Sequence, residues 1–317
     1  MTNLKKIGLT ALAGTLASTS YAIAGDLSVS GTARMEYQST ADSATANTDS
    51  FADNSTLTFS GSGELDNGFG VSIMKAIAPQ SNNSDVGTFE VTSEHVSLDM
   101  GDMGTISMAN GMNPAGIGSI QDMVPNAGEQ PWDDLGTTHG GPEDGVASPH
   151  SGHRLGYSVN AAGATISAAA DYQNNTPTTS IAIKLDGLVE GLNIGGGLAS
   201  DAQAATEDDI ETVYASFAYG PITVGVQNTK VEKDAADTDI ERDSYGITFA
   251  VNENLSIGYG VSEVEYDAEN NDEESTGIQA SYTAGGMKIG FVNNKKDNLN
   301  GGTTNMEMNE LMLTFSF

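Results

Sequence analysis

Six carboxylates fall within one 43-residue stretch that holds no lysine or arginine: Asp122, Glu129, Asp133, Asp134, Glu143 and Asp144, all between residues 110 and 152. His139, His150 and His153 stand among or just beyond them. Two chemistries suit such a set. Clustered carboxylates and imidazoles can bind a divalent metal, but this spacing matches no closed zinc or calcium loop. A polar loop that happens to hold histidines is the preferred account, and no resident metal is expected. Alternatively, carboxylates facing basic groups across a gap would set up a transverse field that orients a dipolar solute. The basic candidates are Arg34, Arg154, Lys184, Arg242 and Lys288, for reasons of strand phase given below.

Other chemistries find little support. No HExxH, no nucleophile elbow and no Gly-rich phosphate cradle between a strand and a helix is present. His95 has no assignable partner, so the chain is not expected to be an enzyme. Cysteine is absent, which excludes disulfides and thiolate metal sites. Twelve basic against 43 acidic residues argue against nucleic acid, because phosphate contacts need cations. The acidic runs "TEDDIE" (Thr206–Glu211) and "YDAENNDEES" (Tyr266–Ser275) would hold Ca2+ or Mg2+ only weakly, and no cofactor is expected.

What must position these groups is legible from a period of two. Leu27, Val29, Gly31, Ala33, Met35 and Tyr37 form one face, with Ser28, Ser30, Thr32, Arg34 and Glu36 opposite. Such alternation marks strands with one apolar and one polar face. It recurs along the chain and predicts sixteen strands, near residues 27–37, 55–65, 68–78, 88–99, 104–109, 153–160, 164–172, 178–185, 191–199, 210–220, 221–230, 241–251, 254–266, 274–284, 286–295 and 305–317. The apolar phase slips between Val91 and Val96 and again between Val261 and Val264, each a bulge or a misread phase. Arg34, Arg154, Lys184, Arg242 and Lys288 fall on the polar phase. Lys75 falls on the apolar one, as a snorkelling rim residue or another misread phase.

The connections alternate short and long. "LDNGF", "MGDMG", "NAAGA", "YGP", "VNEN" and "TAGGM" are tight turns; polar loops lie near 38–54, 79–87, 110–152, 173–177, 200–209, 231–240, 267–273 and 296–304. Antiparallel hairpins with all short turns on one rim result. A soluble sandwich would bury the apolar face against a second sheet and use less regular connections. Strands of about 9–11 residues, even in number and with small polar inward residues, instead fit a membrane-crossing barrel. In hydrocarbon every backbone group needs a partner, so the sheet must close. "MEMNELMLTFSF" (Met306–Phe317) would then be the seam strand against Leu27–Tyr37. Tyr37, Phe69, Tyr219, Tyr245, Tyr266, Tyr282, Phe315 and Phe317 are candidates for interfacial girdles.

A barrel of sixteen strands is too wide for side chains to fill. The 110–152 loop, between the fifth and sixth strands, carries Trp132 and the apolar residues Ile117, Ile120, Met123, Val124 and Leu135, and is expected to fold inward as a constriction. Residues 1–24 read as a signal peptide: Lys5 and Lys6, an apolar run, then Ala22-Ile23-Ala24, leaving 25–317 as the barrel. Loss of the two lysines leaves ten basic and 43 acidic residues, a net charge of −33. That field should concentrate cations at the channel mouths.

"GDLSVSGTARMEY" (Gly25–Tyr37), "ELDNGFGVSI" (Glu64–Ile73), "GDMGTISMAN" (Gly101–Asn110), the outsized loop and "LMLTFSF" (Leu311–Phe317) occur in an order that resembles the Gram-negative general porins, most nearly those of alphaproteobacteria. The resemblance implies a sixteen-strand outer-membrane barrel, a homotrimer set among outer-membrane lipid and lipopolysaccharide, passing small hydrophilic solutes and ions by diffusion. It implies that Phe317 is read by the outer-membrane assembly machinery. The family's acidic constriction maps onto Asp122, Glu129, Asp133, Asp134, Glu143 and Asp144, and its basic cluster loosely onto Arg34, Arg154 and Lys184. A dense arginine ladder is missing here. Rival readings are a channel for one nutrient, and a non-conducting barrel acting as a surface adhesin.

Overall fold

The computed structural model describes residues 27–42, 47–79, 89–136, 153–173, 176–201, 208–233 and 238–317. The signal segment, Glu143, Asp144, His139 and His150 lie outside them. The strands are β1 (Leu27–Asp42), β2 (Thr48–Asp53), β3 (Thr56–Glu64), β4 (Gly70–Pro79), β5 (Phe89–Asp99), β6 (Thr105–Asn110), β7 (Arg154–Ala161) and β8 (Ala164–Gln173). They continue as β9 (Thr176–Asp186), β10 (Leu192–Asp201), β11 (Asp208–Tyr219), β12 (Ile222–Lys233), β13 (Ile240–Ala250), β14 (Leu255–Tyr266), β15 (Glu273–Ala284), β16 (Met287–Asp297) and β17 (Met306–Ser316).

Each strand pairs antiparallel with its neighbours, and the last returns to the first. β17 runs against Thr32–Asp42 of β1. Beyond it Gly31 and Phe317 exchange backbone hydrogen bonds at 2.9 and 3.1 Å, so the terminal aromatic completes the seam. β2 and β3 both lie along the other side of β1 in one continuous register, Met35 opposite Asp53 and Thr32 opposite Thr56. At the interruption the Arg34 amide donates to Ser55 Oγ instead of a carbonyl. The two segments are therefore halves of one wall strand, and the wall is a closed sixteen-stranded antiparallel barrel.

Of the segment 38–54, expected as loop, residues 38–42 and 48–53 are strand. The segment lacks apolar alternation, and its strand character comes from backbone pairing of β1 with β2 and β17. Its Phe51 packs on Tyr37 with ring centroids 5.3 Å apart. The slip near Val91 is a bulge: Ala76 faces Ser93 while Ile77 faces Val91, leaving Thr92 extra. The slip near Val264 is not, since both registers of β14 run unbroken. There the polarity of the two faces inverts. Val264 points inward and is buried, while Glu263 and Glu265 point outward.

Burial confirms which side meets which solvent. Outward Val213, Ile278 and Leu311 are 60%, 59% and 52% exposed, whereas inward Thr212, Gln279 and Glu310 are each 1% exposed. A water-soluble protein would reverse these numbers. An apolar belt around a closed ladder satisfies every requirement of a hydrocarbon solvent. The tight turns use left-handed backbone as hairpins require, for example Ala162 and Gly163 at φ 51° and 83° between β7 and β8.

Candidate functional site

The long connection after β6 enters the barrel. From Gly111 to Gly136 it forms no strand, so its backbone groups need partners elsewhere. The wall supplies them from inward side chains. Gly116 and Ile117 amides donate to Ser167 and Ser180 hydroxyls. Lys184 Nζ donates to the Ser119 carbonyl at 3.2 Å. Gln227 accepts from the Met123 amide and donates to the Ile120 carbonyl. Gln279 Oε1 accepts from Ala127 and Gly128 amides at 2.7 and 3.0 Å, and its Nε2 donates to the Glu129 carbonyl. Asn294 and Lys296 donate to the carbonyls of Gln130 and Gly136.

Close approach needs wall positions without side chains. A Cβ at Gly197 of β10 would sit 3.1 Å from Ile120, and one at Gly246 of β13 would sit 2.5 Å from both the Pro125 carbonyl and Val124. Gly197 and Gly246 are thus part of a bed for the loop. Apolar anchors fix its two ends. Ile117 and Ile120 join Ala182, Ala199, Ile210, Tyr214, Val231, Ile240 and Val264 in one inward cluster. Leu135 packs with Val292, Met308 and Met312 in a second. Trp132 is buried, with the Arg242 guanidinium 5.0 Å from its ring centroid.

The expected charges distribute as follows. Glu129 reaches Arg34, Nη2 to Oε1 at 2.7 Å. Asp134 accepts from Gln38 at 3.3 Å. Although its carboxylate touches channel water, crowding by the wall raises its pKa, with Glu129 and Glu36 adding to the rise. Asp133 accepts from the Gln130 amide within the loop itself. Asp122 is exposed. Arg154 lies beside Asp171 at 3.7 Å. Arg242 is buried beneath Trp132, and Lys288 is exposed on the strand turn far from these contacts, opposite Thr283 and Thr314.

Sequence reasoning missed the wall's own carboxylates and amides. Glu36 and Glu310 join Arg34 at 2.8 and 3.2 Å, and Glu273 lies 3.4 Å from Lys296. Glu36 and Glu310 sit on the inward phase of expected strands, which was the available signal, whereas Glu273 fell in the expected loop 267–273 and is in fact the first residue of β15. Lys75 does point outward, paired with Glu94 at 2.9 Å, and His153 meets the same carboxylate at 2.8 Å.

Among solved structures, a porin refined at 1.8 Å is 18% identical, with a TM-score of 0.67, covering 92% of this chain and 100% of its own. A mutant porin of Rh. blastica is 14% identical with a TM-score of 0.69 and the same coverage. OmpT, an outer membrane protein of Vibrio cholerae, is 11% identical with a TM-score of 0.66, covering 92% of this chain and 98% of its own. At such identities these likenesses speak for the fold. No curated protein matches the chain. The sequence model of the family described as Gram-negative porin matches residues 8–303. With a closed barrel, an apolar belt and a loop laid along its inner wall, the chain belongs to the Gram-negative porin family, as a multi-pass protein of the outer membrane.

Proposed function

We propose that the chain is a general diffusion porin of the alphaproteobacterial kind, processed after residue 24, passing small hydrophilic solutes and ions with a preference for cations. The observation that carries this is the inversion of polarity: a wall apolar outside and polar inside, around a space that the 111–136 segment narrows but lines with carboxylates. Cation preference is supported by how the wall's basic groups are held. Arg34 is shared by three carboxylates, and Arg154 and Lys296 each lie beside one. Acidic residues thus set the field.

A homotrimer is part of the proposal, supported by the outward pair Lys75–Glu94. Apart from His153, which meets the same carboxylate, its neighbours on that face are apolar: Phe59, Ile73, Ile77, Val91 and Val96. A lysine facing hydrocarbon at mid-depth costs about 2–4 kcal/mol; covering it with a second copy of the chain removes that cost. Lipopolysaccharide around the remaining wall and recognition of Phe317 by the assembly machinery complete the reading.

Reconstitution tests it. Planar bilayers should show open channels whose zero-current potential, under a salt gradient, has the sign of faster cations. Faster anions would overturn the preference. Flux of one solute that saturates in vesicles would favour a specific nutrient channel, and absence of conductance a plugged adhesin.

A further inference from the structure

A buried ion pair at the long-loop rim joins the constriction loop to the last connection of the barrel. Glu273 opens β15 and Lys296 lies near the end of β16. Their side chains are 0% and 1% exposed, with Lys296 Nζ 3.4 Å from Glu273 Oε1. The Lys296 ammonium also donates to the Gly136 carbonyl of the constriction loop at 3.4 Å. Glu273 Oε2 accepts from the Asn300 amide at 2.9 Å and from the Tyr266 hydroxyl at 3.4 Å. One carboxylate and one ammonium thus hold both the constriction loop and the 298–305 connection between β16 and β17.

That connection is shaped to lie against the constriction loop. It closes on itself, the Leu299 amide donating to the Thr304 carbonyl and the Asn298 amide to Asn305 Oδ1. Side-chain amides tie it to the preceding 267–272 connection. Asn271 donates to the Gly301 and Gly302 carbonyls, and Asn298 to the Asp272 carbonyl. Gly301, at φ 71°, is buried where any Cβ would strike Glu269. The Leu299 side chain is left over Gly136, 3.3 Å from where a Cβ would stand. Asp134, the loop carboxylate that accepts from Gln38, is two residues away.

An ion pair at this depth is a weak source of stability, since apolar residues of similar volume often do as well. What it supplies is position, because a carboxylate and an ammonium answer only to particular partners. We propose that Glu273 and Lys296 are positioning residues of the channel: they latch the 298–305 connection, as a strap, over the 134–136 end of the described constriction loop and so fix Asp134 in the passage. The effect on ion flow rests on the reading of the chain as a channel; the latch itself does not.

Trp132, the chain's one tryptophan, is buried four residues before Gly136 and reports on the loop whether or not the barrel conducts. The test uses the folded full-length barrel in detergent and in planar bilayers. Glu273→Leu combined with Lys296→Met keeps the site apolar and filled while removing its bonds. Loss of even one charged hydrogen bond should raise the released population by roughly tenfold or more. Acrylamide should then quench Trp132 more strongly and its emission should shift to the red. The channel should become larger or noisier and less selective for cations. Exchanging the pair, Glu273→Lys with Lys296→Glu, should act the same way, because its lysine cannot accept from Asn300 and its carboxylate cannot donate to Gly136. An exchange that restores wild-type values would overturn the proposal, since the two groups would then serve as an ion pair and no more. Leu299→Ser, confined to the connection, should act in the same direction and keeps the test open where a pair variant does not fold; retained heat-modifiable migration identifies the folded ones. Wild-type quenching and conductance in folded variants would overturn the latch. A wild type with shielded Trp132 and no current sinks the channel reading, and quenching alone then decides the latch.

Discussion

Gln279 is the side chain on which the middle of the constriction loop turns, and Gln279→Ala tests whether the wall holds that loop. The amide makes three bonds to backbone that has no other structure: it accepts from Ala127 and Gly128 and donates to the Glu129 carbonyl. A net value of about 1 kcal/mol each gives roughly 3 kcal/mol, reduced toward about 2 by channel water that enters the vacated space. At about 1.4 kcal/mol per tenfold, the balance between docked and released loop shifts by roughly 30- to 150-fold for residues 127–130. The barrel itself should survive, since Gln279 pairs with Gly258 and Val292 through backbone alone. Single-channel recording should show larger or noisier conductance, while migration of the folded band in detergent gels stays unchanged. Ile278→Ala, one residue away on the outward face, should leave the conductance alone. A Gln279→Ala channel with wild-type conductance and noise would refute the idea that inward amides restrain the loop.

Three further outcomes follow from the same geometry. Gly246→Val places carbon atoms where Pro125 and Val124 now sit, so the loop must lift from β13 and conductance should rise without loss of the barrel. Removing Phe317 deletes the two backbone bonds with Gly31, about 2 kcal/mol at the seam, and should lower the yield of heat-modifiable barrel on refolding. Lys75→Leu breaks the outward ion pair: a covered subunit face would lose trimer stability in detergent, whereas a lipid-exposed face would be unharmed, and the gel distinguishes the two.

The strands were legible because a barrel in a membrane imposes one rule on every residue of its belt. Side chains alternate between oil and water, so Leu311-Leu313-Phe315 or Val224-Val226 declare their faces without knowledge of any neighbour. Where that rule lapses, at the long-loop rim, the sequence misleads. Thr48–Asp53 is a strand with no apolar face, and Val264 breaks the phase because the inward side there is an apolar cluster.

Charge and spacing made the loop and its carboxylates conspicuous, and strand phase put Arg34 on the inside. Neither could say that Arg34 faces Glu310, 276 residues away, since that contact exists only where the first and last strands meet. Nor could they say that Arg242 lies beneath Trp132 rather than open to the channel. Periodicity is a local property that a solvent reads one residue at a time. Pairings across the lumen depend on the register of sixteen closed strands and on the path of a loop held by the wall, and only the folded barrel brings those together.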